Sequence, residues 1–94
     1  MRVTVKFFTT LREITGRREE EIKSSSDLTI GEVLKQLSKE HGSRFINYVY
    51  DETGKVRTYL QLLVNGRSIT TMQGFKTRLR EGDSVAIIPP VGGG

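Results

Sequence analysis

An α+β fold, one main helix packed on one face of a mixed sheet of about four to five strands, is the class this sequence predicts. Three observations predict it. Residues 2 to 8 alternate with the period of a strand, residues 29 to 41 carry a single apolar helical stripe, and residues 60 to 88 return to strand patterning around a two-residue turn signal. A chain of 94 residues is enough for one compact core and short for two.

In Arg2-Val3-Thr4-Val5-Lys6-Phe7-Phe8, the residues Val3, Val5 and Phe7 face a core while Arg2, Thr4 and Lys6 face outward. Phe8 shares the outward parity, so it puts an aromatic ring on the polar side. Thr10 to Thr15 fits one short helical turn stopped by Gly16. Arg17 to Lys23 reads as a second strand, charged on both faces, and Ser24 to Asp27 as a loop. Glu19, Glu20 and Glu21 look like an acid cluster, but consecutive strand residues point to opposite faces, and a solvated edge strand is the expectation.

The main helix starts at Thr29-Ile30-Gly31-Glu32, a capping box in which the threonine side chain takes a free backbone N–H and the glutamate reaches back. Ile30, Val33, Leu34 and Leu37 form its apolar stripe, Lys35, Lys39 and Glu40 fall outside it, and Gly42 offers a stop. His41 stands at the helix end, where the dipole favours a cation, and reads as a capping or surface residue rather than a ligand.

From 43 to 59, Phe45, Ile46, Tyr48, Val49, Tyr50 and Tyr59 surround the turn signal Asp51-Glu52-Thr53-Gly54, and the stretch reads as a hairpin. Leu60 to Val64 is a strand, and Asn65-Gly66 before Arg67-Ser68-Ile69 is a strong hairpin signal. Residues 70 to 80 read as irregular or briefly helical. Glu81-Gly82-Asp83 turns the chain into a last strand, Ser84 to Ile88, which Pro89 and Pro90 end because neither donates to a ladder. The β-grasp, or ubiquitin-like, fold is the commonest small architecture with this order of strands around one capped helix.

Composition removes several function classes. With no cysteine there is no disulfide staple, no cysteine-based zinc site and no thiol nucleophile, and a single histidine cannot form an imidazole cluster. The 15 basic and 11 acidic residues leave a net charge of +4, which suits acidic partners. From Lys55 to Arg80 there are six basic residues and no acid. They are scattered over strands and loops, so a solvated face that steers an acidic partner is favoured over a nucleic-acid binder. No apolar run is long enough for a membrane helix or a signal core, so the expectation is a soluble, cytoplasmic protein without a membrane partner.

The chain finishes Ile87-Ile88-Pro89-Pro90-Val91-Gly92-Gly93-Gly94. At ordinary glycine usage, two terminal glycines arise by chance in about one chain in 200. A frayed end fits the composition equally well; placement directly after a strand and two prolines favours function. The division is a domain over 1 to 88 and a flexible tail over 89 to 94. Six residues reach at most about 20 Å, and glycines let a terminal carboxylate enter a channel too narrow for other residues. An unhindered Gly94 carboxylate can be adenylated with ATP and then attacked by a sulfur nucleophile or an amine.

Phe7-Phe8 with Leu11-Arg12-Glu13, Asn65-Gly66, and Glu81-Gly82-Asp83-Ser84-Val85-Ala86 leading into Pro89-Pro90-Val91-Gly92-Gly93-Gly94 resemble the MoaD/ThiS family of ubiquitin-like sulfur carriers across essentially the whole chain. The likeness runs toward the small subunit of molybdopterin synthase and toward archaeal small modifier proteins. It implies a carrier that is not catalytic alone, binds no metal and holds no cofactor tightly. Its partner is then an adenylyltransferase related to the ubiquitin-activating enzyme, which uses ATP to activate Gly94; sulfur transfer makes a thiocarboxylate. The molybdopterin synthase large subunit is the implied acceptor of the tail in molybdenum cofactor biosynthesis. The alternatives are an isopeptide bond from Gly94 to lysines of target proteins, or sulfur delivery to tRNA thiolation or cysteine synthesis. Two features depart from the pattern: the segment from about Ser43 to Leu60 is longer than in the shorter synthase subunits, and Gly92 makes a third terminal glycine.

Parity supplies a docking surface. If the first and last strands are parallel neighbours, Phe8 and Ile88 lie together beside the tail's exit, both opposite in parity to the core residues, and Leu63 is similarly out of phase with Leu60, Leu62 and Val64. The resemblance adds Ile69 and Arg12 to this contact, and Pro89, Pro90 and Val91 continue it along the tail. Ordinary surface or second-side core is the competing reading of these residues.

Overall fold

A computed structural model describes residues 1–90. The expected layers are present: a five-stranded mixed sheet in the order β2-β1-β5-β3-β4, with the helices on one face. The centre is formed by β1 (Arg2–Phe7) and β5 (Ser84–Ile88), which run parallel in the register Thr4 to Ser84 through Phe7 to Ile87. β2 (Glu19–Lys23) lies antiparallel to β1 at one edge, while β3 (Gln61–Val64) pairs with β5 and carries β4 (Arg67–Ser68) at the other. Val3, Val5, Phe7, Leu62, Val64, Val85 and Ile87 are buried, so the period-two pattern sorts the sheet into an inner and an outer face.

α2 (Ile30–His41) covers the inner face with Ile30, Val33, Leu34 and Leu37, all buried. Its capping box is complete: the Thr29 hydroxyl oxygen accepts from Glu32 N at 3.2 Å, and Glu32 Oε1 accepts from Thr29 N at 2.9 Å. Two positive-φ residues make the β3-β4 hairpin, Asn65 at 50° and Gly66 at 85°, as a primed two-residue turn requires. α1 (Thr10–Thr15) ends on left-handed Gly16 and buries Leu11. Two short 3-10 turns, Ile69–Thr71 and Gly74–Lys76, occupy the irregular stretch. No helix among the described residues is long and apolar enough to cross a membrane.

Of the hairpin expected over 43 to 59, only the short part around the turn is formed, where Asp51 N donates to Lys55 O at 2.8 Å and Arg57 N to Val49 O at 2.9 Å; residues 43 to 49 are not a strand. α3 (Ser43–Val49) stands there instead, with Phe45 and Val49 buried one turn apart. Aromatic and β-branched residues favour strands on a half-buried surface, but here the spacing of Phe45 and Val49 closes one end of the core, and this packing prevails. The turn at 51 to 54 is as read: Gly54 N donates to Asp51 O at 3.0 Å, and an isolated bridge joins Tyr50 to Val56.

A second correction concerns Glu20 and His41. β2 is an edge strand, yet Glu20 shares the inward parity of Ile22, and its side chain is only 5% exposed. It meets His41 Nε2 at 2.9 Å, and the His41 side chain is 9% exposed rather than on the surface. The imidazole is enclosed by Phe7 and Phe45, with ring centroids 6.1 and 6.0 Å away. Burial of a carboxylate at a sheet edge is tolerated because the partner is supplied from the end of α2.

Candidate functional site

Parallel pairing sends the C-terminal ends of β1 and β5 to one edge of the molecule. The register that sets Phe7 beside Ile87 carries Phe8 toward Ile88 on the outer face. On the next strand Leu63 stands opposite Ala86, and Gln61 opposite Ile88. Phe8, Leu63, Ala86 and Ile88 are each half-buried, and together they make an apolar area on an outer face otherwise presenting Arg2, Lys6, Glu19, Glu21 and Lys23.

Arg12 is tied to this area from α1. Its Nε donates to Phe7 O at 3.0 Å, and its guanidinium carbon lies 5.4 Å from the centroid of the Phe8 ring. The chain achieves this fold-back through Thr9, which holds φ 48° and ψ −116° and makes no side-chain cap bond. For a β-branched residue that geometry is strained. Strain is thus concentrated in the residue that folds Arg12 over Phe8.

Two of the surface residues expected from the sequence lie elsewhere. Ile69 is 4% exposed, because β4 ends at Ser68 and the following 3-10 turn rotates Ile69 into the core. Pro89 is buried, while Pro90 is exposed. The strand therefore anchors one residue farther than its last ladder pair, and the exit begins at Pro90. Val91, Gly92, Gly93 and Gly94 lie outside the described residues.

One polar group was not anticipated as a unit. Ligand atoms of Glu20, Glu40 and His41 lie within 4.8 Å of one another on the inner side of the sheet, a donor set of the kind that holds a cation. Arg17 already supplies positive charge there, with Nη1 3.5 Å from Glu20 and 3.8 Å from Glu40. The Glu40 carboxyl is pushed above its ordinary range, first by its hydrogen bond to Glu20 and then by desolvation and the Glu20 charge, against His41 and Arg17. The group joins β2 to α2 and stands on the face opposite Phe8 and Ile88. Its sequence signal was the shared parity of Glu20 and Ile22.

A sequence model of the ThiS family matches residues 5–94. The chain belongs to the ThiS family. Small archaeal modifier protein 3 of Haloferax volcanii is 34% identical over 94 residues, spanning 100% of both chains. Sulfur carrier protein CysO of Mycobacterium tuberculosis is 33% identical over 96 residues, again spanning 100% of both. Among solved structures, SAMP1 from Haloferax volcanii superposes with a TM-score of 0.86 at 26% identity, over 100% of both chains. A putative molybdopterin converting factor subunit 1 from Pyrococcus furiosus gives 0.75 at 30% identity, over 96% of this chain and 98% of that one. This ThiS-family chain is a ubiquitin-like sulfur carrier or modifier with the β-grasp architecture.

Proposed function

We propose that the protein is delivered to its partners as an acyl substrate through Gly94. An adenylyltransferase of the ubiquitin-activating type joins the Gly94 carboxylate to the AMP of ATP and releases pyrophosphate. A sulfur nucleophile then displaces AMP and leaves a thiocarboxylate, which donates sulfur as the small subunit of a molybdopterin synthase. The single observation that carries this reading is the exit of Pro90 from the end of β5, beside Phe8, Leu63 and Ile88, into an uncharged Val-Gly-Gly-Gly sequence. The absence of cysteine supports it, since any sulfur the chain carries as an acyl group must sit on the terminal carboxyl. Similarity to the Pyrococcus protein supports the pterin acceptor in particular.

A second reading rests on the full-length match to a small archaeal modifier protein: the same acyl-adenylate is attacked by a lysine amine of a target protein. Intact-mass measurement on protein from its native cell separates the two. Exchange of one oxygen for sulfur at the terminus, with co-purification of a synthase large subunit, is the expected result for the carrier. A ladder of higher-mass conjugates lost on deleting Gly93 and Gly94 is the result for the modifier. Neither signal would overturn both.

A further inference from the structure

At the end of the sheet away from Pro89, three arginines line one open cleft. Thr77 and Leu79 are buried while Arg78 and Arg80 are exposed, so residues 77 to 80 run extended with both arginines on one side, about 7 Å apart. The segment is held to the helix layer by Leu79 N, which donates to Leu28 O at 2.8 Å, and by a bridge between Thr29 and Arg78. Arg67 enters the same cleft from β4, and Met1 and Met72, both half-buried, contribute its apolar floor. Elsewhere Arg2 and Arg17 meet carboxylates, but among the described residues none of these three guanidinium groups has an ion-pair partner within 4.0 Å.

We propose that this cleft is a docking site for an acidic peptide segment of another protein, bearing an aliphatic anchor. Its carboxylates pair with Arg67, Arg78 and Arg80, whose planar forks fit carboxylates two bonds at a time. Its anchor seats on Met1 and Met72, whose flexible thioethers adapt to the shape presented. Nucleic acid fits less well, because the lining has no aromatic ring on which a base could stack; Asp27 and Glu81 on the same rim offset part of the arginine charge toward either kind of acidic ligand.

Location gives the site its use. Met1 precedes β1 and Glu81 precedes β5, so the cleft lies at the opposite ends of the parallel strands from the tail. The five residues of β5 separate the two by about 16 Å. A partner held here leaves Phe8, Leu63 and Ile88 uncovered, so the inference does not depend on what happens at Gly94.

The test uses the full chain and a dye-labelled peptide of repeated glutamates carrying two leucines, read by fluorescence anisotropy. The expected result is saturable binding that weakens about tenfold in Arg78→Glu/Arg80→Glu, the size expected for reversing two exposed pairs. Arg67→Glu weakens it also, Lys35→Glu/Lys39→Glu leaves it unchanged at the same net charge, and so does deletion of Gly93 and Gly94. Replacing the leucines by serine loses most of the affinity. The proposal is overturned by absence of saturable binding, by equal losses in the lysine and arginine variants, or by a serine peptide that binds as well. Tighter binding of a labelled single-stranded RNA would instead make the cleft a nucleic-acid site.

Discussion

Leu63→Asp tests the outer face without altering the tail. Leu63 sits on β3 between Ala86 and Ser68, while its neighbours Leu62 and Val64 point inward and are buried. Fully burying a leucine is worth about 1.5 to 3 kcal/mol, and most of this side chain is already covered, so docking gains at most about 1 kcal/mol from it. An aspartate forfeits that gain and adds the desolvation of a carboxylate against an apolar partner, at least about 2 kcal/mol. The sum, about 2 to 3 kcal/mol, predicts affinity for the proposed adenylating enzyme lowered about 30- to 150-fold; Leu63→Ala lowers it at most about fivefold. Folding is weakened but retained, because the substituted side chain lies on the outer face rather than in the core: the lost cover of one partly buried leucine costs about 1 to 2 kcal/mol and strand propensity at most about 1 kcal/mol. Titration calorimetry against the cognate enzyme, with amide NMR spectra as the check on folding, measures it. An affinity within threefold of the parent in a native-like Leu63→Asp protein would refute the docking argument.

Other expectations follow from strain and titration. Thr9→Gly removes a strained conformation worth about 1 to 3 kcal/mol and adds unfolded-chain entropy of about 0.5 to 1 kcal/mol. It should therefore raise the urea midpoint, and a lowered midpoint would show that the threonine side chain, not its backbone, matters. Glu20→Ala removes the largest cause of the raised Glu40 pKa, so the Glu40 carboxyl should titrate at lower pH by carbon-13 NMR. The sign follows from linkage: a carboxyl raised on folding stabilises below its ordinary pKa and loses that contribution as pH rises through the folded value. Asp51 is the opposite case. Its pKa is lowered first by the hydrogen bond from the Thr53 hydroxyl and then by that from Lys55 N, so its contribution is present above the ordinary aspartate range and lost as pH falls through the lowered value. Thr53→Ala should move the Asp51 midpoint upward, and an unmoved midpoint would reject the hydroxyl as its main cause.

What could be read from the sequence was local. Val3, Val5 and Phe7 announce a face by alternation, Thr29 and Glu32 close a box within one turn, and Asn65-Gly66 dictates its own backbone twist. The pairing of β1 with β5, though distant in sequence, followed once the β-grasp order was recognised. Phe8 beside Ile88 followed from it by parity alone. α3 was missed because seven residues give a weak periodic signal, and Tyr48, Val49 and Tyr50 carry strand preference. Glu20 and His41 are 21 residues apart, so neither residue shows its partner in its own neighbourhood. Ile69 was placed in the contact by resemblance alone, and no local pattern shows its burial, because β4 stops after two residues and parity has no meaning beyond the last ladder pair.

The parallel pair at the centre also sets how the molecule bears load. A pull at the C-terminal end of β5, resisted at the N-terminal end of β1, acts along both strands in opposite senses. The hydrogen bonds in register from Thr4 to Phe7 are then loaded in shear, all together, rather than unzipped one after another. A pull transmitted from beyond Pro90 therefore meets the sheet in shear rather than at a peeling edge. Traction from the β2 or β4 edge, by contrast, would peel a single ladder.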